Sequence, residues 1–214
     1  MIREDSAAGP GGEVLIGRDL RSSSPLIAAL SARAIADAGL TPIDCGEVPT
    51  PALALAGRNL CAPSVMVTGS HIPDDRNGLK FYRAQGEIDK ADEARILHWH
   101  AKLALANVPA EPVVMRPHEA LVAYQARYAT SFGTAALKGL TVGVYQHSSV
   151  GRDAICQTLK ALGAEVVPLG RAERFISLDT EALSREDEEL ARGWRQNAGS
   201  TQSSRPTVMP TGRL

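Results

Sequence analysis

Short apolar runs alternate with segments of helical periodicity, and this alternation is the feature that most constrains the fold. The first apolar run, at 13–17, leads into a charged loop and then into a segment with apolar residues at helical spacing that ends at Gly39. The same order recurs at 41–60. A strand that is apolar throughout must be covered on both faces, which in a strand–helix–strand chain requires a parallel sheet between helices. We therefore expect an α/β fold with mostly parallel or mixed sheets flanked by helices.

Hydrophobic periodicity, together with the positions of glycine and proline, places the individual elements. Pro25 favours the first turn of the first helix, which one of Ser22 to Ser24 would cap. Leu79–Tyr82 follows a turn and is the strand that we expect to run antiparallel to its neighbour. The remaining strands are expected at 41–45, 65–67, 140–145 and 164–168, and the remaining helices at 51–60, 88–107, 119–132 and 150–162.

Changes in composition divide the chain into four expected parts. Residues 1–12 should form a flexible tail, 13–116 a first domain and 117–192 the start of a second, incomplete domain. The proline-rich stretch at 110–117 indicates the linker between them. Residues 193–214 are rich in Gly, Ser, Thr, Gln and Pro without periodicity, so we expect them to be disordered.

The overall charge and the cysteines exclude several classes of protein. A net charge of −1 gives no electrostatic reason to expect nucleic acid or an anionic membrane as a partner. No stretch is apolar for long enough to suggest a signal peptide or a membrane span. The 3 cysteines form no Cys-x-x-Cys pair, which indicates reduced thiols and a cytoplasmic protein rather than a disulfide framework or a zinc site.

Ser70 stands at the end of the third apolar run, where parallel α/β sheets commonly bind their ligands. Turn-forming residues at 73–78 would let the next strand bring Lys80 back towards Ser70. The chain has no Gly-x-Ser-x-Gly motif here, and His71, next to Ser70 on an extended chain, would point away from it, which disfavours a serine hydrolase. A phosphoryl-carrying serine fits better, because phosphoryl transfer depends on positioned charges more than on a strong nucleophile.

Each of these residues also has a plainer interpretation. A Ser-His pair in a loop is more often a turn or a cap than a catalytic pair, and a lysine on a strand is usually solvated. Arg18 and Arg21, which follow the first strand, are by the same reasoning surface residues. Only the spacing of these residues taken together, from Arg18 to Lys80, favours a functional site.

That spacing resembles a known family. Residues 68–80 read Thr68-Gly69-Ser70-His71-Ile72-Pro73 and then Asn77-Gly78-Leu79-Lys80. They are similar to the phosphoserine loop of the α-D-phosphohexomutase superfamily, Thr-x-Ser-His-x-Pro followed by Asn-Gly-x-Lys, which phosphomannomutases and phosphoglucomutases share. Two further loops resemble the family's Gly-x-Asp-x-Arg and Gly-x-x-x-Thr-Pro turns, namely Gly17-Arg18-Asp19-Leu20-Arg21 and Gly46-Glu47-Val48-Pro49-Thr50-Pro51.

The resemblance implies an intramolecular phosphotransferase that moves phosphate between the 1- and 6-positions of a hexose phosphate, with mannose or glucose as the sugar. Ser70 would be the phosphoserine donor and would bind Mg²⁺ through its phosphate oxygen. Lys80 would act as general acid or base, and His71 would orient the phosphate and the sugar. Arg21 and Arg18 would bind substrate. The choice of hexose and the oligomeric state stay open.

The chain also departs from the family. Ile72 stands where the family has asparagine, and neither the Gly-x-x-Gly-x-Arg-Gly motif nor the Asp-Gly-Asp-x-Asp-Arg metal loop is present in the sequence. The domains that would bind the sugar and its distal phosphate are also absent. We therefore expect a fragment with negligible mutase activity. The alternative is a non-catalytic sugar-phosphate-binding or interaction module.

The C-terminal residues suggest an origin for the missing metal loop. If the gene is read one base back, the codon junctions from Pro206-Thr207 to Gly212-Arg213 can encode Asp-Gly-Asp-Ala-Asp-Arg-Pro, and the alanine is forced whatever codons are used. We expect a shift of reading frame near Arg195 to Ala198. The DNA sequence tests this, since the idea fails if no single-base shift restores the loop.

Overall fold

Two units make up the chain in this computed structural model, which describes residues 12–70, 72–73, 75–102, 113, 115–172, 175–176, 185–198 and 207–210. One unit comprises Met1–Thr68 with Asn77–Ala120, and the other comprises Gly69–Arg76 with Leu121–Leu214. The short segment 69–76, which contains Ser70, therefore groups with the second unit although it lies between two parts of the first.

The first unit is built on a mixed six-stranded sheet with the strand order β5-β4-β3-β1-β2-β6. β1 is central and runs parallel to both of its neighbours, whereas β4 is antiparallel to β3 and to β5. The strands are β1 (Glu13–Arg18), β2 (Thr41–Glu47), β3 (Ser64–Val67), β4 (Leu79–Arg83), β5 (Gly86–Glu87) and β6 (Arg116–Pro117). The helices of this unit are α1 (Ser24–Asp37), α2 (Thr50–Asn59) and α3 (Lys90–Lys102).

The two faces of β1 meet different helices, because successive side chains on a strand point to opposite sides. Val14 and Ile16 pack into a core cluster with α1 and with Val65 and Val67 of β3. On the other face, Gly17 lies so close to Leu53 of α2 that a Cβ atom there would come within 3.1 Å of its Cδ2. The sheet is thus covered by α1 on one face and α2 on the other, and β1 is buried on both.

The second unit contains a three-stranded sheet with the order β8-β7-β9, in which both pairs run parallel. Its strands are β7 (Thr141–His147), β8 (Glu165–Arg171) and β9 (Thr207–Pro210), and its helices are α4 (Ala120–Phe132), α5 (Arg152–Ala161) and α6 (Arg185–Ala198). Val142 and Val144 of β7 form a core with Cys156 of α5 and with Ala164. Trp194 of α6 packs against Tyr145 with the two rings tilted, and their centroids are 5.1 Å apart.

The structure confirms the predicted α/β fold class and the antiparallel course of β4. Every expected strand from β1 to β4 and both expected strands of the second unit are present, with ends that differ by a few residues. The expected helix at 88–107 is described as α3 up to Lys102, and its remainder lies outside the described residues. The expected flexible tail at 1–12 also lies almost entirely outside them.

Two expectations about local structure were wrong. No serine side chain caps α1, because the hydroxyls of Ser23 and Ser24 bond to Asn77 instead. Residues 193–214 are not uniformly irregular, since α6 continues to Ala198 and Thr207–Pro210 pairs with β7. The backbone of an edge strand can pair with a parallel neighbour whatever its side-chain periodicity, which is why the sequence pattern missed β9. The expected domain division and the shift of reading frame stay predictions.

No helix among the described residues is both long and apolar enough to cross a membrane.

Candidate functional site

The candidate site begins at the carboxyl ends of β1 and β3. These strands are parallel neighbours, with Arg18 opposite Val67, so the residues that follow them emerge at the same edge of the sheet. The amide of Asp19 donates to the carbonyl of Val67 at 3.0 Å and continues the pairing by one step. Asp19, after β1, and Thr68, after β3, are therefore brought together by the strand register itself.

The carboxylate of Asp19 is buried and accepts four hydrogen bonds from residues that the structure describes. Its Oδ1 accepts from the Arg21 amide at 3.1 Å and from Ser24 Oγ at 2.5 Å. Its Oδ2 accepts from Thr68 Oγ1 at 2.8 Å and from Arg21 Nε at 3.2 Å. A buried charge without partners is costly. These hydrogen bonds, together with the positive charge of the Arg21 guanidinium, offset that cost and allow the Asp19 carboxylate to be buried.

Asn77, which follows the loop that carries Ser70, joins the same hydrogen-bond network. Its Nδ2 donates to Ser23 Oγ at 3.0 Å and to Ser24 Oγ at 2.9 Å, while its Oδ1 accepts from the Gly78 amide. The Thr68 amide in turn donates to the Gly78 carbonyl at 3.0 Å. We call the group formed by Asp19, Arg21, Ser24, Thr68 and Asn77 the Asp19 cluster.

Thr68 and Asn77 flank the segment 69–76, which we call the serine segment. Ser70 within it is exposed and has a φ of 55°, a left-handed conformation that costs a non-glycine residue about 1–2 kcal/mol. Hydrogen bonds within the segment run from the Ile72 amide to the Gly69 carbonyl and from the Arg76 amide to the Pro73 carbonyl. Backbone strain of this kind occurs preferentially at functional positions, so it motivates a functional hypothesis for Ser70.

Lys80 lies on β4 opposite Met66 of β3, so the antiparallel pairing returns it alongside the strand that leads to Ser70. Its side chain is exposed. This agrees with the returning strand that the sequence predicts, and the catalytic role of Lys80 stays a prediction. His71, the third predicted catalytic residue, lies outside the described residues.

The two predicted substrate-binding arginines have different surroundings. The side chain of Arg21 is fully buried and pairs with Asp19, which contradicts the plainer interpretation of a surface residue. Arg18 pairs with Asp44 at 3.3 Å and keeps part of its side chain exposed. The Nε atom of Arg18 is buried and has no hydrogen-bond partner among the described residues, so these residues leave one of the Arg18 donors unused. Substrate binding by either arginine stays a prediction.

The second unit has a largely exposed polar cluster of its own at the ends of β7 and β8. Arg171 forms a two-pronged ion pair with Asp153, at 2.6 and 3.1 Å, and this pairing lowers the pKa of the Asp153 carboxyl. Gln146 lies against both. Arg152 donates from the first turn of α5 to two carbonyls at the strand ends. These contacts tie β7, β8 and α5 together and define no reacting group.

The described residues do not form a metal site by themselves. Among them, no group of three or more His, Cys, Asp or Glu side chains is placed so that it could hold a metal ion. Ser70 could contribute a phosphate oxygen once phosphorylated, which is a single ligand, whereas Mg²⁺ takes several oxygen ligands in octahedral geometry. The residues described here therefore do not fit a complete Mg²⁺ site.

Sequence reasoning placed Asp19 within a motif but gave it no role. The reason is physical, since acidic residues after a strand are usually solvated, and nothing in the sequence marks this one as buried. The available signal was the set of small hydroxyl residues at both ends of the motif loops, Ser24 and Thr68, which can donate to a carboxylate without adding charge.

Comparisons with known proteins agree with this architecture. Residues 2–105 match the family model described as phosphoglucomutase/phosphomannomutase, alpha/beta/alpha domain I. A phosphomannomutase of Sinorhizobium fredii is 48% identical over 199 residues, which is 91% of this chain and 42% of that protein. A phosphomannomutase of Salmonella muenchen is 41% identical over 184 residues, which is 85% of this chain and 37% of that protein.

Solved structures show the same fold. A putative phosphomannomutase from Thermus thermophilus superposes with a TM-score of 0.60 at 26% identity, over 74% of this chain and 37% of that one. A phosphoglucomutase/phosphomannomutase family protein from Burkholderia thailandensis gives 0.58 at 25% identity, over 77% of this chain and 36% of that one.

The chain is thus similar to proteins of the phosphohexomutase superfamily. It spans about two fifths of the length of the curated relatives that it matches.

Proposed function

We propose that this chain carries the phosphoserine segment of a phosphohexomutase of the phosphomannomutase or phosphoglucomutase type. The single observation that carries the proposal is Ser70, an exposed serine held in a left-handed backbone conformation just after the carboxyl end of β3. The relatives named phosphomannomutase support the choice of reaction. The substrates would be mannose or glucose phosphates.

In this proposal the phosphoryl group on the Ser70 oxygen passes to a hydroxyl of the hexose phosphate, and a phosphoryl group returns to Ser70 from the other position of the sugar. The Ser70 oxygen–phosphorus bond breaks as the sugar oxygen–phosphorus bond forms, so the phosphate count is conserved over a full cycle. Lys80 would take the proton from the attacking hydroxyl and return it to the Ser70 oxygen. His71, Arg18 and Arg21 would hold the phosphate and the sugar.

Mg²⁺ enters the proposal only through the family, with a phosphate oxygen on Ser70 as its ligand from this part of the chain. No step above depends on it. Because the sequence holds no Asp-Gly-Asp-x-Asp-Arg motif, we propose that these 214 residues by themselves turn over hexose phosphates at a negligible rate. We also place the protein in the cytoplasm, where its free cysteines would stay reduced.

A chimera tests the function of the segment directly. This chain would replace the matching part of the S. fredii phosphomannomutase, and the chimera would be assayed with mannose 1-phosphate in a coupled assay. We expect turnover that is lost with Ser70→Ala and strongly reduced with Lys80→Ala. A folded chimera without turnover, or one that keeps its turnover with Ser70→Ala, would overturn the proposal.

A further inference from the structure

The Asp19 cluster holds both ends of the serine segment through one carboxylate. Thr68, the residue before the segment, donates to Asp19 Oδ2, and Ser24, which donates to Oδ1, accepts from Asn77, the residue after it. A direct backbone bond from the Thr68 amide to the Gly78 carbonyl closes the base of the loop. The entrance and exit of the serine segment are thereby fixed relative to β1 and α1.

The chemistry of these contacts suits a positioning role. Hydrogen bonds to a charged acceptor are worth about 1.5–3 kcal/mol, more than those between neutral groups. The donors to Asp19 come from the β1–α1 loop, from α1 and from the end of β3. A single buried charge therefore couples the β1–α1 loop, α1 and the end of β3, the strand that leads into the serine segment.

We propose that Asp19 is a positioning residue, which acts through Thr68, Ser24 and Asn77 to hold the serine segment in the conformation that presents Ser70. The positive φ of Ser70 is strained, and a loop whose two ends were not fixed would relax that strain. Holding both ends of the serine segment therefore keeps Ser70 in this conformation. This inference rests on the proposed function, since only a reacting serine requires its segment to be fixed in this way.

The first arm of the test uses native-state hydrogen exchange on the full chain. The amides of Ile72 and Arg76 are the probes, since both donate hydrogen bonds within the serine segment. Thr68→Val removes the hydroxyl at nearly constant volume, and we expect it to speed exchange at both probes about tenfold or more. Thr68→Ser restores the hydroxyl, and we expect it to return exchange close to the wild-type rate.

A matched control separates local positioning from general stability. Ile35→Val removes one buried methylene from α1 in the same unit without touching the cluster, and costs about 1 kcal/mol. We expect it to change exchange at Ile72 and Arg76 far less than Thr68→Val does. Equal acceleration by the two variants, or failure of Thr68→Ser to restore protection, would overturn the positioning role.

The second arm separates this inference from the proposed function. Mass spectrometry would report whether Ser70 carries phosphate in protein purified from cells. If Ser70 carries no phosphate and the exchange pattern is as expected, the contacts hold the segment but serve no reacting serine. That result would overturn the inference as stated. Phosphate on Ser70 with no exchange response to Thr68→Val would leave the function standing and overturn only the positioning role.

Discussion

At the scale of single residues, the conformation of Ser70 distinguishes it from the other serines of its surroundings. Ser23 and Ser24 sit at the start of α1 and use their hydroxyls as acceptors for Asn77, in ordinary right-handed backbone. Ser70 instead has a φ of 55° and is exposed. This conformation is unfavourable for a serine, so its cost at an exposed position within the motif supports a functional hypothesis.

That cost can be measured by comparing two variants that both lack the hydroxyl. Glycine adopts positive φ freely, whereas alanine keeps the Cβ atom that makes the conformation unfavourable. We expect Ser70→Gly to be more stable than Ser70→Ala by about 1 kcal/mol, as measured by urea unfolding. An alanine variant as stable as the glycine variant would show that the Ser70 backbone is unstrained.

At the scale of elements, β1 is the strand on which the first unit depends. It is central in the sheet, and its residue Gly17 lies between α2 and β3 with no room for a side chain. A Cβ atom there would come within 2.8 Å of Val48 Cγ2 and 3.2 Å of Met66 Sδ. The close approach of α2 to the sheet therefore depends on glycine at this position.

Gly17→Ala should destabilise the protein by about 1–3 kcal/mol, because the added methyl forces neighbouring side chains to shift in a packed core. Gly193→Ala in α6 is the matched control, since among the described residues no atom outside the neighbouring helix backbone lies within 4 Å of the added Cβ, and alanine is the better helix former. Urea unfolding measures both. A Gly17→Ala protein as stable as the wild type would contradict the packing described here.

The start of α3 is tied to β4 through Asp92. Arg83 of β4 hydrogen-bonds and pairs with Asp92, and Arg95 donates to it at 2.8 Å. The Arg83 guanidinium, more than any other partner, lowers the pKa of the Asp92 carboxyl from 3.8 to about 2. This carboxylate therefore favours the folded state at neutral pH.

The sign of the pH dependence follows from this lowered pKa. The stability from Asp92 is present above 3.8 and is lost as the pH falls through about 2. We expect the difference in unfolding free energy between the wild type and Asp92→Asn to shrink as the pH falls from about 6 to about 2.5. A difference that stays constant over that range would contradict the ion pair between β4 and α3.

The elements of the fold were largely predictable, and the exceptions have physical reasons. Buried strands such as β1 and β3 show as apolar runs, and Gly39 marks the end of α1 because it takes a φ of 75° there. The short edge strands β6 and β9 have no such signal, since their pairing uses the backbone alone. The serines before α1 predicted a cap, but a partner distant in sequence, Asn77, bonded to them instead.

At the scale of the whole molecule, the motifs identified the family but not the supporting structure of the site. Ser70 and Lys80 could be singled out by spacing along the chain. The burial of Asp19 and Arg21 could not, because it arises from the parallel register of β1 and β3 and from α1 folding back over their ends. The spacing of residues along the chain shows which of them belong to one motif. Only the fold shows which residues fix the positions of the others.

The relatives are more than twice as long as this chain, so in the proposed reaction the chain would supply only the donor segment. In the proposed cycle that contribution is the phosphoryl group on Ser70. Its presence can be tested in these residues alone, whatever the rest of a complete enzyme supplies.

The most direct measurement is therefore mass spectrometry of the protein purified from cells, with peptide mapping and with Ser70→Ala as the control. We expect a phosphoryl group on the peptide that holds Ser70, removable by a phosphatase and missing from Ser70→Ala. A wild-type protein without phosphate on that peptide, or with its phosphate unchanged in Ser70→Ala, would contradict the role of Ser70 as the phosphoryl donor.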